Sequence, residues 1–198
     1  MARTMPVLLA LAGLLAPAYA QPVDDLGRWH AGAYSYSDER GGFAIVGISG
    51  SGVADDPEVL TQEMFSASPV TLVIRAVAPI RPREFSGGLA NGFIHLRIVA
   101  LNNSGLPWLE FEFELQEQLG EPSTFGDGLS FDQRRTESGN IWSDRYAAYD
   151  RNFEPYDRLV FSRGNTDPLE AATFQFFITD FTPKSVFYLV QDPTVPFS

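Results

Sequence analysis

Short apolar runs, separated by glycine and proline, dominate the chain after its first twenty residues. The run 109–115 (Leu-Glu-Phe-Glu-Phe-Glu-Leu) alternates apolar and acidic residues, and this period of two is typical of a strand with one buried face. Strand-like runs also lie at 43–48, 70–77, 92–101, 158–162, 172–179 and 185–190. Helix-length stretches without breakers are rare, and the helical candidates are 57–65 and the weaker 143–149.

This pattern predicts an all-β fold: an antiparallel two-sheet sandwich of about seven or eight strands, with a jelly-roll or an immunoglobulin-like topology. Strands do not alternate with helices along the chain, which argues against a doubly wound sheet or a (β/α)₈ barrel. We expect residues 21–198 to form a single sandwich domain, in which residues 21–40 could be poorly ordered. A domain of this length can bury a sizeable core.

The first twenty residues have the three parts of a secretory signal peptide. Arg3 supplies a positive start, residues 6–15 are apolar, and Ala18 and Ala20 place small residues where a signal peptidase cuts. The apolar run is too short to cross a bilayer core of about 30 Å comfortably. We therefore predict a signal helix cleaved after Ala20 and an exported product that is secreted, on the cell surface or periplasmic, without stable membrane insertion.

Composition narrows the classes of function. The chain has 25 acidic and 14 basic residues, and loss of Arg3 with the signal peptide would make its net charge −12. Such a charge disfavours nucleic acid as a partner. Because the chain has no cysteine, thiolate zinc sites, iron–sulfur clusters and cysteine nucleophiles are excluded. Lys184 is the sole lysine, and this preference for arginine indicates a GC-rich bacterial coding background.

Candidate catalytic residues are few. The histidines are His30 and His95, and no Gly-x-Ser-x-Gly sequence presents a serine nucleophile. The weak candidates are carboxylates that share one face of the run 109–115, namely Glu110, Glu112 and Glu114. Alternate residues of a strand are about 6.5–7 Å apart, which is within the carboxylate separation that glycosidases use. The alternative is a solvent-facing charged row that keeps the strand soluble.

Acidic loops offer the oxygen ligands that Ca²⁺ takes. The candidates for such a site are Asp55, Asp56, Asp127 and Asp132. None of these loops has the EF-hand spacing, and aspartates in loops also form turns by bonding to nearby backbone. No other cofactor is indicated, so the expectation is none or Ca²⁺.

Aromatic side chains outside the strongest strand runs are candidates for ligand binding. They are Trp142, Tyr146, Tyr149 and Tyr156. Exposed aromatic rings in loops bind the faces of sugars, because the negative face of the ring attracts C–H groups. The alternative is that these rings cover the ends of the sandwich.

The C-terminal forty residues or so resemble the ends of exosortase-sorted bacterial surface proteins, the PEP-CTERM group. The resemblance rests on Tyr156-Asp157-Arg158-Leu159-Val160-Phe161, on Asp180-Phe181-Thr182-Pro183 and on the run 187–193. That group has a β-rich exported ectodomain followed by a Val-Pro-Glu-Pro signal, an apolar helix and a basic cluster. Here the sequence reads Val195-Pro196-Phe197-Ser198, so the resemblance implies an unanchored relative, secreted or periplasmic. It implies no catalytic residue.

Two classes of function follow. The first is a non-enzymatic exported sandwich with a surface, matrix or ligand-binding role, with carbohydrate or Ca²⁺ as ligand and a polysaccharide or another surface protein as partner. The alternative is an exported carbohydrate-active hydrolase that uses paired carboxylates. A third hypothesis is a self-assembling matrix protein. The sequence leaves the oligomeric state open.

Overall fold

The structure, a computed structural model, describes residues 23–82, 84, 88–134 and 139–196. The predicted signal peptide, residues 1–20, lies outside the described residues. Within the described part, no helix has the length and apolarity needed to cross a membrane. The strands of this part are β1 (Trp29–Ala31), β2 (Tyr34–Ser37), β3 (Phe43–Ser49), β4 (Glu58–Met64), β5 (Val70–Ala76), β6 (Phe93–Asn102), β7 (Glu110–Gln116), β8 (Leu129–Phe131), β9 (Trp142–Ser143), β10 (Tyr146–Asn152), β11 (Arg158–Gly164), β12 (Ala171–Asp180) and β13 (Val186–Thr194).

These strands form two sheets. Sheet A has the spatial order β1-β2-β5-β13-β7-β11-β10, and sheet B has the order β3-β4-β6-β12-β8, with β9 also paired to β12. Neighbouring strands are antiparallel except β4 and β6, which are parallel. The predicted all-β, antiparallel two-sheet sandwich is therefore confirmed. The described strands outnumber the seven or eight expected. β1, β2, β8 and β9 have only two to four residues each, and β4 and the start of β10 fall on the two helical candidates.

An aromatic core holds the two sheets together. Phe111 and Phe113 of β7 project from sheet A, and Phe174 and Phe176 of β12 project from sheet B. The ring centroids of Phe111 and Phe174 are 4.6 Å apart, and those of Phe113 and Phe176 are 4.8 Å apart. All four side chains are fully buried. The alternation seen in the run 109–115 thus places its phenylalanines at the centre of the sandwich.

The helix predicted at 57–65 is wrong, because these residues form β4. The inward-facing residues of β4 are Glu58, Leu60, Gln62 and Met64, and all are buried. Two of these four positions are polar, so the strand lacks the apolar alternation that identifies a half-buried strand in sequence. The weaker helical candidate, 143–149, is also wrong, since it contains the end of β9 and the start of β10.

Residues 21–40, for which poor order was an expectation, contain a hairpin in the part that the structure describes. β1 and β2 pair in antiparallel register through a two-residue turn at Gly32 and Ala33, and β2 pairs with β5. Tyr36 of β2 is fully buried in the core. The hairpin extends sheet A, and its turn reaches the end of the sandwich.

Candidate functional site

Three of the predicted ligand-binding aromatics meet at one cavity, here called the Trp142 cavity. It encloses about 250 Å³ and is lined by Ile141, Trp142, Ser143, Tyr146, Ala147, Ala148, Tyr149 and Phe161. Its position follows from topology: β10 is the edge strand of sheet A, and β9 pairs with β12 of sheet B. The cavity therefore lies where an edge of one sheet approaches the other.

The aromatic side chains of the Trp142 cavity differ in exposure. Trp142 and Tyr149 are each 38% exposed, whereas Tyr146 is buried. The hydroxyl of Tyr146 lies 3.1 Å from Thr166 Oγ1 and donates to the carbonyl oxygen of Trp108 at 3.3 Å. Tyr146 therefore fixes the cavity to the core, while Trp142 and Tyr149 offer surface to a ligand.

A guanidinium lies beside the exposed indole. The Arg97 guanidinium carbon is 5.6 Å from the centroid of the Trp142 ring, a cation–π distance. Nε and Nη2 of Arg97 both donate to Gln175 Oε1, at 3.0 and 2.7 Å. These two hydrogen bonds hold the Arg97 side chain in place. The planar N–H donors of its guanidinium are of the kind that bind hydroxyl oxygens.

The fourth aromatic candidate, Tyr156, lies outside the lining of this cavity. The Arg158 guanidinium carbon is 5.5 Å from the centroid of the Tyr156 ring. The sequence could not separate Tyr156 from the other three aromatic residues. The convergence of Trp142, Tyr146 and Tyr149 depends on the pairing of β9 with β12 and of β10 with β11.

The three carboxylate candidates lie on the outer face of sheet A. Glu112 is opposite Asp192 of β13, and its carboxylate is 3.8 Å from Nη1 of Arg158. Partial burial raises the pKa of Glu112; Arg158 opposes that shift, and Asp192, Glu114 and Glu110 add to it. Burial, together with Glu114, also raises the pKa of Asp192. None of these three glutamates is among the residues that line the Trp142 cavity.

The four calcium candidates do not form a ligand group among the described residues. Asp127 accepts backbone N–H bonds from Thr124 and Leu129 and so closes a turn. Asp132 is buried and lines a separate cavity of about 190 Å³ that also contains His95. Asp55 and Asp56 are exposed in the β3–β4 loop. Among the described residues, no three His, Asp or Glu side chains form a group that could hold a metal ion. Calcium binding stays a prediction.

The sequence did not predict that the carboxyl groups of Glu58 and Asp157 are buried. Glu58 lines a third cavity and accepts a hydrogen bond from the Tyr36 hydroxyl. Asp157 is fully buried, and its Oδ2 accepts a 3.1 Å bond from Ser130 Oγ. Burial raises the pKa of Asp157 to about 7, with Asp127 and Glu154 adding to the shift. The available signal for Glu58 was its place two residues before Leu60, on the face that a strand through 58–64 would bury.

Comparison with models of protein families, with curated proteins and with solved structures gives no match at the level that would carry an assignment. The function is therefore argued from the geometry of the chain itself.

Proposed function

We propose that this chain is an exported, non-enzymatic carbohydrate-binding sandwich whose site is the Trp142 cavity. The observation that carries the proposal is that Trp142 and Tyr149, each 38% exposed, line one concave surface. A sugar ring presents C–H groups on its faces and hydroxyls at its rim. Aromatic faces attract the first, and polar groups such as Arg97 and Ser143 pair with the second.

The lining of this cavity favours binding over hydrolysis. As far as the structure describes it, the lining contains no carboxylate and no histidine. Hydrolysis of a glycosidic bond requires a general acid together with a base or a nucleophile. The acidic row of Glu110, Glu112 and Glu114 lies on another surface and cannot act on a sugar held here. The negative charge of the chain favours a neutral polysaccharide over a polyanion.

The test uses tryptophan fluorescence. Trp29 and Trp108 are buried and Trp142 is half-exposed, so Trp142 dominates any change on ligand binding. We expect neutral oligosaccharides, tested as glucan, xylan and chitin fragments, to shift the emission to shorter wavelength. Trp142→Ala and Tyr149→Ala should each weaken binding by about tenfold or more, measured by calorimetry. Tyr156→Ala is the matched control and should bind as the native protein does.

Two results would contradict this proposal. One is binding that survives both Trp142→Ala and Tyr149→Ala. The other is release of reducing ends from a bound oligosaccharide, abolished by a single substitution in the chain, which would make the protein a hydrolase.

A further inference from the structure

The cavity that Glu58 lines lies at the end of the sandwich, away from the residues that line the Trp142 cavity, and is here called the Glu58 cavity. It encloses about 340 Å³, within the range of small-molecule sites. Three connections meet around it: the β1–β2 turn, the β3–β4 loop and the segment 88–92 that precedes β6. Each contributes glycine or short side chains, which leaves room beside Glu58.

Glu58 is the acidic group of this cavity. It is 1% exposed, and its Oε2 accepts a hydrogen bond from the hydroxyl of Tyr36. Burial raises the pKa of Glu58 well above its ordinary range, and no basic side chain of the described residues offsets that shift. A buried carboxyl without a cation is costly to a fold, because nothing replaces the water that would stabilise its charge.

Two glycines pack closely against the other carboxyl oxygen of Glu58. Gly32 has φ +51°, and a Cβ added there would collide with Glu58 Oε1 and lie 2.7 Å from the carbonyl oxygen of Ser51. A Cβ added at Gly52 would lie 3.0 Å from the same Oε1. Glu58 Oε1 and the Ser51 carbonyl oxygen thus lie close to the same glycine in the lining of the cavity, and each is a hydrogen-bond acceptor.

The remaining wall is aromatic and apolar. Tyr34, Leu89 and Phe93 line it. Burial raises the pKa of Tyr34 to about 12, and ionised Glu58 and Asp180 add to the shift. Tyr34 is therefore uncharged at neutral pH. Aromatic faces and acceptor oxygens together suit a cation that can donate hydrogen bonds.

We propose that the Glu58 cavity binds a small organic primary ammonium, whose –NH₃⁺ group donates to Glu58 Oε1 and to the carbonyl oxygen of Ser51. The ligand supplies the positive charge that no described residue places beside Glu58. Its carbon portion lies against Phe93 and Leu89. This site is independent of the carbohydrate site, so either can fail without the other.

The test compares butylammonium with 1-butanol, which has the same carbon chain and no charge. Binding is followed by the amide NMR signals of Gly32 and Gly52, which border the cavity. We expect butylammonium to shift these signals and to bind at least about tenfold more tightly than 1-butanol. Equal affinity for the two probes, or no shift with butylammonium, would overturn the proposal.

Two variants separate a direct contact from the overall charge of the chain. Glu58→Gln keeps the shape of the side chain and should abolish the preference for the ammonium. Asp55→Asn removes one negative charge from the exposed β3–β4 loop and should leave the preference intact. The same loss in both variants would show that only net charge matters, and would overturn the proposal.

The native protein provides a measurement that does not depend on the folding of Glu58→Gln. A protonated Glu58 must lose its proton to pair with the ammonium, so butylammonium affinity should rise as the pH rises through the Glu58 pKa. The affinity of 1-butanol should stay constant. An affinity for butylammonium that does not change with pH, over the range in which the protein stays folded and butylammonium keeps its proton, would overturn the proposal.

Other groups around the cavity need a control in that titration. The titratable or charged side chains on the surrounding elements are Tyr34, Tyr36, Asp55, Asp56, Glu84, His95, Arg134 and Asp180. Burial raises the pKa of Asp180 to about 6, so this group titrates in the same range. Asp180→Asn should keep the pH dependence of butylammonium binding. Its loss in that variant would assign the effect to Asp180 and overturn the role of Glu58.

Discussion

Gln62 and Gln191 form a reciprocal pair of amide hydrogen bonds that joins the two sheets. Gln62 Nε2 donates to Gln191 Oε1 at 2.7 Å, and Gln191 Nε2 donates to Gln62 Oε1 at 3.2 Å. Gln62 belongs to β4 of sheet B and Gln191 to β13 of sheet A, and both are fully buried. Because the geometry is reciprocal, the pair also fixes which strand of one sheet lies over which strand of the other.

Replacing one glutamine of this pair should lower the free energy of unfolding more than replacing both. Gln62→Leu leaves the Gln191 amide buried without its partner, and we expect it to lower the free energy of unfolding by about 1–3 kcal/mol. The double variant Gln62→Leu with Gln191→Leu should recover much of that loss. Urea denaturation of the four proteins in the cycle measures the coupling, and additive single effects would contradict the pairing.

The aromatic core should respond strongly to truncation of Phe113. Its ring centroid lies 4.8–6.0 Å from those of Phe111, Phe161, Phe174 and Phe176. Phe113→Ala would open a cavity between the sheets and should lower the free energy of unfolding by about 3–5 kcal/mol. Phe125, which is 52% exposed, is the matched control. Phe125→Ala should cost less than about 1 kcal/mol by the same denaturation assay.

Gly92 is required by both conformation and space. It has φ +85°, and an added Cβ would collide with the carbonyl oxygen of Asp180. Gly41 has φ +78° with no atom within 4 Å of an added Cβ, so it isolates the cost of conformation. We expect Gly41→Ala to cost about 1 kcal/mol and Gly92→Ala about 3 kcal/mol or more, measured by thermal unfolding. Equal costs would mean that the close approach of Gly92 to β12 is not maintained in solution.

Asp157 should make stability depend on pH. Its pKa is about 7 in the folded protein against an ordinary 3.8, so the folded state holds the proton more tightly than the unfolded state. The stabilisation from this group is therefore full below about pH 4 and is lost as the pH rises through about 7. The free energy of unfolding of the native protein should therefore decline between pH 4 and 8. In Asp157→Asn this decline should be smaller by about 1–3 kcal/mol.

Denaturation with urea at a series of pH values checks this prediction. Burial raises the Asp180 pKa to about 6, so a smaller decline of the same sign should persist in Asp157→Asn. Asp55→Asn, in an exposed loop, is the control and should keep the full decline. An unchanged pH profile in Asp157→Asn would show that Asp157 is ionised in the folded protein.

The predicted signal peptide implies that the mature protein has a defined N-terminus. Expression of residues 1–198 in a bacterium with a general secretion pathway should yield a protein that begins at Gln21, measured by intact mass. Ala20→Tyr should block cleavage, because the peptidase pocket accepts only small residues there. Ala12→Leu, within the apolar run, should be cleaved normally. A full-length product beginning at Met1 in the cytoplasmic fraction would contradict the signal peptide.

The sequence alone indicated the class of the fold. The alternation from Glu110 to Leu115 reports burial directly, because successive side chains of a strand point to opposite faces. β6, β7 and β12 were identified for this reason. Leu109, which the same alternation predicts to be buried, precedes β7 and is 43% exposed. β4 was not identified as a strand, because its buried positions include the polar residues Glu58 and Gln62. These two side chains are stabilised by hydrogen bonds with Tyr36 and Gln191, which come from distant parts of the chain.

The same distinction applies to the sites. Residue type made Trp142, Tyr146 and Tyr149 candidates for ligand binding. The pairing of β9 with β12 and of β10 with β11 decided that these three residues line one cavity and that Tyr156 does not. The sequence did not show what surrounds Glu58, because its environment is built by the Gly32 turn and the Gly52 loop folding onto it. Periodicity is a local property and determined which faces are buried. The partners of buried polar groups are set by contacts across the sheets, and only the tertiary structure decided them.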